Sequence, residues 1–87
     1  MQYIVSRKFK KSFDKLPLKI KQQFLERRRL FEAEPHHPQL RNHTLTGKYI
    51  GCRSFNITGD VRTVFEQLDV NLVHLIAIGT HSQLYGK

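Results

Sequence analysis

The chain has 87 residues, with 15 lysines and arginines against seven aspartates and glutamates, which gives a formal net charge of +8 at pH 7. This length predicts one domain, residues 1–87, with a modest core, and no apolar run approaches the roughly 18 residues that would span a bilayer. The single cysteine, Cys52, excludes an internal disulfide and is expected to be a packing residue. The amino end lacks the pattern of a secretory signal, so a cytoplasmic protein is expected.

Positive charge is concentrated in the first half of the chain. Residues 1–46 carry 11 basic and four acidic side chains, whereas residues 47–87 carry four and three. A surface of this kind attracts nucleic acid because binding to phosphates releases counterions. It attracts an acidic protein equally well, so charge leaves both classes of partner open, as well as a merely solvated face.

The start of the chain is predicted to form a short strand and an amphipathic helix. Residues 3–5 favour an extended backbone, and Ser6 is a suitable N-cap for the helix that follows. Phe9, Phe13 and Leu16 recur at spacings of four and three, so they share one helical face while the lysines lie elsewhere.

A second helix is predicted from Pro17 to just before Pro35. Proline suits the first turn of a helix, and the residue before a proline is disfavoured in the helical conformation. Arg27 lies within the apolar stripe of this helix, where we expect its stem to pack on the core and its charged end to reach water. No cysteine or carboxylate completes a set of metal ligands with His36 and His37, so a solvated loop is expected there.

From Tyr49 onward the hydrophobic period changes to two, which predicts three antiparallel strands. The first begins at Tyr49, the second spans residues 61–68 and the third spans residues 72–79, with turns at 58–60 and 69–71. The whole order is a short strand, a hairpin of two helices and a three-stranded meander. This is an α+β fold with the helices packed on one face of a small sheet.

Antiparallel pairing across the two turns predicts which polar side chains meet. Arg62 should lie beside Asn56 and opposite Ile78, and a bulge would shift the second pairing by one residue. The pairing gathers four polar residues at one end of the sheet: Asn56, Asp60, Arg62 and His81. Tyr85 follows His81 by four residues, so a helical turn in the tail would place both on the same side.

These side chains suit the cleavage of RNA by its own 2′-hydroxyl, which needs a base, an acid and a fixed positive charge at the phosphate. His81 can transfer protons near neutral pH, and Arg62 has planar donors that match phosphate oxygens. Asp60 could accept a proton or orient His81, while Tyr85 could donate a proton or stack on a base. No metal or other cofactor is required. Each residue also has an ordinary explanation as a turn former, a surface charge or a tail residue.

Three stretches of the second half resemble the YafQ branch of the RelE/ParE toxin superfamily: Gly47–Arg53, Gly59–Arg62 and above all Ile78–Gly86. The resemblance implies a RelE-like fold and a bacterial type II toxin. Such a toxin is a small basic endoribonuclease that cleaves messenger RNA in the ribosomal A site and is silenced by a cognate antitoxin. It is expected to be monomeric alone and hetero-oligomeric with its antitoxin.

By position, the resemblance implies five catalytic residues: His43, Asp60, Arg62, His81 and Tyr85. His81 matches the terminal catalytic histidine, Tyr85 the terminal aromatic residue and Asp60 the acidic residue after the turn. Arg62 matches a phosphate-contacting arginine of the superfamily, and His43 matches a further active-site histidine.

Three further residues, Lys48, Arg53 and Asn56, are predicted to bind RNA. Asn56 stands where some members of the branch carry another histidine, which leaves the number of proton-transfer groups open. The predicted register puts the start of the Tyr49 strand at the opposite end of the sheet, so His43 can join the site only if its loop folds back.

The basic helices are expected to hold ribosomal RNA phosphates, or to receive an antitoxin segment that folds on binding. Two other functions fit the same residues. A gyrase-directed toxin of the ParE type would share the fold without attacking a phosphodiester, and a non-enzymatic RNA-binding module would use the polar cluster only to grip phosphate.

Overall fold

The computed structural model describes residues 1–86 and shows a mixed five-stranded sheet. The strands are β1 (Gln2–Val5), β2 (His43–Thr44), β3 (Arg53–Asn56), β4 (Val61–Asp69) and β5 (Leu72–Thr80). The helices are α1 (Arg7–Asp14), α2 (Leu18–Ala33) and α3 (His81–Tyr85), and two 3₁₀ turns, Pro38–Leu40 and Gly47–Tyr49, lie on either side of β2. The sheet order is β1-β5-β4-β3-β2, with β1 parallel to β5 and all other neighbours antiparallel.

The predicted α+β class is confirmed, with its short first strand, its helical hairpin and its meander of β3, β4 and β5. The sheet has one strand more than expected because His43–Thr44 pairs with β3 as β2. The chain also forms α3 directly after β5, and α3 packs on the face opposite α1 and α2. None of the helices within residues 1–86 is long and apolar enough to cross a membrane.

Ser6 joins β1, α1 and β5. Its hydroxyl oxygen accepts a hydrogen bond from the N–H of Phe9 at 3.0 Å, which caps α1 as predicted. The same hydroxyl donates to the carbonyl of Ile76 at 2.7 Å, and the N–H of Ser6 donates to the carbonyl of Leu75 at 3.0 Å. These bonds fix the start of α1 against the middle of β5.

β5 contains a bulge at Ile76. The ladder pairs Phe65 with Leu75 and the preceding residue of β4 with Ala77, so Ile76 has no partner on β4. Because one extra residue exchanges the two faces of a strand, Leu75 and Ile78 both point to the helices although they are three positions apart. Ala77 points to the other side.

An aromatic cluster fills the face that carries α1 and α2. The ring of Phe31 lies 5.0 Å from the ring of Phe55 and 5.0 Å from that of Phe65, and Phe24 lies 6.5 Å from Phe55. All four are buried. Pairs of this kind contribute about 0.5–1.5 kcal/mol each beyond the burial of their area. The cluster holds α2 against β3 and β4.

A smaller cluster covers the middle of the other face. Val64 of β4 and Ala77 of β5 pack with Tyr49 and with Leu84 of α3. The 3₁₀ turn that contains Tyr49 and the helix α3 therefore lie side by side over the sheet.

β3 begins at Arg53, so the predicted strand start at Tyr49 is wrong. Gly47 has a φ of 66° and Gly51 a φ of 88°, and these left-handed conformations turn the chain before β3 can start. The turn folds the chain between β2 and β3 back on itself, which allows β2 to pair along the edge of β3.

The predicted pairing of Asn56 with Arg62 is confirmed. Arg62 pairs with Gly79 of β5 rather than with Ile78, because the bulge shifts the ladder by one residue. The shift brings a residue without a side chain next to Arg62.

Replacing Ser6 with Ala removes the cap of α1 and the hydroxyl that donates to Ile76. We expect the free energy of unfolding to fall by about 1–3 kcal/mol, because an N-cap is lost and a carbonyl is left unpaired. Urea denaturation followed by circular dichroism measures this change. Ser12→Ala is the control, since Ser12 lies within α1 and does not cap it, and a change within about 0.5 kcal/mol is expected there. An effect of Ser6→Ala no larger than that of the control would contradict this role of Ser6.

Candidate active site

A row of residues crosses one end of the sheet on the face opposite α1 and α2. Asn56 of β3 pairs with Arg62 of β4, and Arg62 pairs with Gly79 of β5. Paired residues of neighbouring strands point to the same face of a sheet. The next row on this face contains Val64 and Ala77, which pack against α3. The Asn56–Arg62–Gly79 row therefore lies beside α3.

α3 begins two residues after this row and is fixed at both ends. The Thr80 hydroxyl accepts from the N–H of Gln83 at 3.2 Å, and Gln83 Oε1 accepts from the N–H of Thr80 at 2.9 Å, which is a capping box. A Cβ at Gly79 would lie only 2.8 Å from Gln83 Oε1, so the glycine leaves room for the box. Gly86, with a φ of 74°, ends the helix.

His81 is the first residue of α3, and its side chain is exposed. Its ring lies 4.8 Å from the ring of Tyr85, which lies 5.7 Å from the ring of Tyr49. Tyr85 thus shares a side with His81, as their spacing predicts. Lys48 Nζ lies 5.4 Å from the ring of Tyr49 and donates to a carbonyl of α3 at 3.3 Å, and Lys8 Nζ donates to the Tyr49 hydroxyl at 3.1 Å. Two ammonium groups therefore lie next to the aromatic side chains.

Arg62 is half-buried, and its charge has no carboxylate partner. Its Nε is buried and makes no hydrogen bond, and within residues 1–86 the one ion pair joins Arg28 to Glu32. A buried N–H without an acceptor costs about 1–3 kcal/mol. Oxygen atoms of a bound phosphate would remove this cost, because their geometry matches the planar donors of a guanidinium.

Asp60 lies in an exposed turn at the same end of the sheet. The Thr58 hydroxyl accepts from the N–H of Asp60 at 3.2 Å and from that of Val61 at 2.9 Å, which closes the turn. Val61 pairs with Thr80. Asp60 precedes Val61 and His81 follows Thr80, so both extend from the same end of the β4–β5 pair. This is the end at which the sequence predicts a polar cluster.

His43 joins the same face from the outer edge of the sheet, because the chain after β2 folds back. It pairs with Ser54, which pairs with Val64, so its side chain shares the face of Arg62. A carbonyl only accepts hydrogen bonds, so His43 Nδ1–H donates to the carbonyl of Arg41 at 2.7 Å, and Nε2 of the neutral ring is left as an acceptor. β2 lies two strands from β4, a backbone separation of about 10 Å.

Arg53 points to the other face of the sheet. Its partner on β4 is Phe65, whose side chain lies in the aromatic cluster under α2. Arg53 Nε donates to Asn42 Oδ1 at 2.7 Å. The structure therefore separates Arg53 from Asn56 and from Lys48, which lies beside α3.

The remaining metal-ligating residue types are dispersed or have structural roles. Within residues 1–86 no three histidine, cysteine, aspartate or glutamate side chains lie together as metal ligands would. His37 Nδ1 accepts from the N–H of Gln39 at 3.1 Å and caps a 3₁₀ turn, and His36 is exposed. Burial, and to a lesser degree the nearby Glu66, raises the pKa of the Cys52 thiol, so it stays protonated at neutral pH. Cys52 packs against the smaller cluster, as expected of a structural cysteine.

Two parts of the site were not predicted from the sequence: the capping box that begins α3, and the position of Tyr49 beside that helix. The spacing of Thr80 and Gln83 is the signature of a capping box and would have predicted α3. Tyr49 was assigned to the start of a strand, and the 3₁₀ turn that places its ring beside α3 was not predicted.

Solved structures with the same fold include several bacterial toxins. A copper-bound mutant toxin from Helicobacter pylori is 26% identical with a TM-score of 0.71, and the match covers 98% of this chain and 99% of that one. A chain of the DinJ–YafQ complex from E. coli is 20% identical with a TM-score of 0.71, covering 98% of each chain. A chain of the heterotetrameric YoeB–YefM toxin–antitoxin complex from Staphylococcus aureus is 14% identical with a TM-score of 0.74, covering 93% and 97%. No curated protein sequence matches the chain.

The helical hairpin, the mixed sheet and the short helix after β5 therefore define a protein with the fold of the small bacterial toxins. A family model described as a bacterial toxin of the type II toxin-antitoxin system, YafQ, matches residues 1–86. The chain belongs to this YafQ toxin family.

Replacing Thr80 with Ala removes half of the capping box and should loosen α3. We expect the free energy of unfolding to fall by about 1 kcal/mol, the usual effect of a lost N-cap. The contact between His81 and Tyr85 should weaken at the same time, and the chemical shifts of the His81 ring protons report it. Ser82→Ala is the control, because Ser82 is an exposed residue of the same helix. Unchanged His81 shifts in Thr80→Ala would show that the cap does not position this histidine.

Proposed function

We propose that this protein is an mRNA interferase, an endoribonuclease that cleaves messenger RNA in the ribosomal A site and so inhibits translation. The strongest support is the register of β4 and β5. It pairs Arg62 with Gly79 and Val61 with Thr80, so the imidazole of His81 extends from the end of the sheet that carries an unpaired guanidinium. Membership of the YafQ toxin family supports the same function.

Arg62 is the proposed phosphate-binding residue. Its guanidinium lies in a half-buried position, where water screens it less than at an open surface. It is therefore suited to stabilise the additional negative charge that develops on the phosphate during attack. Asn56, its partner on β3, is proposed to donate its amide to the RNA strand whose phosphate Arg62 binds. Lys48 is proposed to contact the same RNA strand with its ammonium group, which lies beside α3.

The two histidines lie on opposite sides of Arg62, His43 toward the β2 edge and His81 toward β5. Attack of the 2′-oxygen in line with the departing 5′-oxygen needs its base and its acid on opposite sides of the phosphorus. In the proposed reaction Nε2 of His43 takes the proton of the 2′-hydroxyl, the 2′-oxygen bonds to phosphorus, and protonated His81 gives its proton to the departing 5′-oxygen. The products are a 2′,3′-cyclic phosphate and a 5′-hydroxyl.

Asp60 and Tyr85 support His81 in this proposal. The carboxylate of Asp60, which extends from the same end of the β4–β5 pair, orients the imidazole in this proposal. Tyr85 contacts His81 at 4.8 Å between ring centroids and offers an aromatic face on which a base can stack.

The proposed partners are a cognate antitoxin, the ribosome and messenger RNA in the cytoplasm. Toxins of this fold have been solved with antitoxins, in the DinJ–YafQ and YoeB–YefM complexes. On this protein, Lys8 and Lys11 of α1 and Lys15 directly after it lie along one groove, which suits the phosphates of ribosomal RNA. The toxin is proposed to be monomeric until its antitoxin binds.

Replacing His81 with Ala should abolish growth arrest on induction, because the reaction loses its acid. The fold should be unaffected, since His81 is exposed. Primer extension on cellular transcripts measures the result, with new ends inside coding sequences for the natural protein and none for the variant. His36→Ala, which removes an exposed histidine of a loop, is the control and should cleave normally.

Full toxicity of His81→Ala would rule out His81 as the catalytic acid. Growth arrest by the natural protein without new transcript ends, accompanied by a DNA-damage response, would point instead to a gyrase-directed toxin. Binding of RNA without cleavage, in the presence and absence of ribosomes, would leave only an RNA-binding module.

Replacing Arg62 with Gln should lower the cleavage rate by about 10²- to 10³-fold, the usual effect of removing one group that stabilises developing charge. The free energy of unfolding should stay the same or rise, because the natural guanidinium has a buried N–H without an acceptor. Single-turnover cleavage on programmed ribosomes and thermal denaturation measure the two effects. Arg29→Gln removes an exposed guanidinium of α2 and should change neither. A large loss of stability in Arg62→Gln would show that Arg62 is mainly structural.

A further inference from the structure

Next to Arg62 the sheet borders a cavity of about 310 Å³, and of its lining the proposed reaction uses only Arg62 and Asn56. It lies between α2, the segment that precedes β2 and the turn between β3 and β4. Its charged lining consists of three arginines from separate parts of the chain: Arg27, Arg41 and Arg62. Among residues 1–86, no aspartate or glutamate lines it. A cavity with this lining repels cations and attracts an anion.

Arg27 is held at the wall of the cavity. Its Nη1 donates to the backbone carbonyl of Gln39 at 3.2 Å, which ties α2 to the segment before β2. Nη1 also donates to Gln39 Oε1 at 3.5 Å, but a guanidinium has five N–H donors in a fixed plane, so Nη2 and Nε remain for a ligand. The charged end of Arg27 reaches solvent as expected, and it does so at the wall of this open cavity.

Arg41 has an unusual backbone conformation. Its φ is 49°, and within residues 1–86 it is the one residue other than glycine with a positive φ. Conformations of this kind are costly for residues with a side chain, and they persist where the surrounding structure fixes them, often at binding sites. Here the strained residue directly precedes the segment that leads to His43.

We propose that this cavity binds a backbone phosphate of the RNA strand, adjacent to the phosphate that is cleaved. The proposal rests on the function proposed above and adds a second phosphate subsite to it. Arg62 lines both places, so a strand held at the catalytic end passes directly into the cavity. Arg27 and Arg41 would bind the neighbouring phosphate and fix the register of the strand on the enzyme.

A nucleic acid strand fits these observations better than an acidic protein segment. Both would satisfy the charge, but RNA carries a phosphate at every nucleotide, so one strand reaches the catalytic phosphate and the cavity together. Planar guanidinium donors also match phosphate oxygens in pairs. The neutral lining groups, the amide of Asn56 and the hydroxyl of Thr58, can complete a hydrogen-bonded shell around an anion.

The first test measures binding of a fluorescent RNA with a 2′-deoxy nucleotide at the cleavage position, which the enzyme can bind but not cut. We expect the Arg27→Gln/Arg41→Gln variant to bind this RNA about tenfold more weakly in low salt. The slope of log K against log salt should fall by about 0.7, since the cavity neutralises one phosphate of a single strand. The control Arg29→Gln/Lys19→Gln removes the same charge from exposed positions of α2 and should change the affinity less than threefold.

The second test replaces one backbone phosphate of this RNA at a time with a neutral methylphosphonate. In the natural protein, one replacement next to the cleavage position should weaken binding about tenfold. The same replacement should have no further effect in the Arg27→Gln/Arg41→Gln variant, because the groups that read this charge are gone. Arg41→Gln alone repeats the test without disturbing the bond between Arg27 and Gln39.

The subsite would be overturned if each methylphosphonate weakened binding by the same factor in the natural protein and in the Arg27→Gln/Arg41→Gln variant. It would also be overturned if this variant bound the RNA as tightly as its control. A third result would also overturn it: the Arg27→Gln/Arg41→Gln variant keeps its affinity for RNA but loses affinity for a hexaglutamate peptide. That result would assign the cavity to an acidic protein. Because the RNA is not cleaved, these measurements hold whether or not the natural protein is a nuclease. A natural protein that shows phosphate-specific binding but never cuts RNA would overturn the proposed function and leave the subsite standing.

Discussion

The structure depends on the hydrogen bond between the Ser6 hydroxyl and the carbonyl of Ile76. Ile76 is the extra residue of the bulge in β5, and a bulge leaves backbone groups outside the ladder that need other partners. Ser6 supplies that partner and begins α1 with the same side chain. After the bulge the two faces of β5 are exchanged, so Gly79 meets Arg62 on the face opposite the helical hairpin. A contact made by the sixth residue therefore determines what surrounds the candidate active site.

Unsatisfied groups in the candidate site lower the free energy of unfolding of the protein. The helix-side core is packed with buried aromatic rings, whereas the opposite face holds the guanidinium of Arg62, whose buried Nε makes no hydrogen bond. Arg28 differs from Arg62 in charge pairing, because its guanidinium lies 3.9 Å from the carboxylate of Glu32, whereas Arg62 has no ion pair within residues 1–86. Groups left unsatisfied in a folded protein are typical of sites that obtain their partner from a ligand. The unpaired charge of Arg62 thus suits a residue that the proposed reaction uses rather than one that only holds the fold.

Local patterns in the sequence predicted most of the fold. The spacing of Phe9 and Phe13 fixed the first helix, and a tight turn placed Asn56 beside Arg62 without reference to the rest of the chain. The bulge could not be predicted, because β5 is an almost continuous apolar run and apolar residues on both faces conceal a change of register. The three-arginine cavity was missed for a different reason. Arg27 and Arg41 come together only through the packing of an aperiodic segment, residues 34–42, against α2, and nothing in local spacing encodes that contact.

The position of β5 in the sheet has a consequence for synthesis of the chain. β5 lies between β1 and β4, so the strand made first and the strand made in the second half both need it as their neighbour. The bond from Ser6 to Ile76 joins residues 70 positions apart, and contacts of such separation form late because the intervening chain must be closed into a loop. The hairpin of α1 and α2 can gain helical structure while the chain emerges, but its docking surface is incomplete until residues 72–80 have been made. Arg62 and His81 come together only when β5 enters the sheet, so a nascent chain that lacks β5 carries no assembled candidate site.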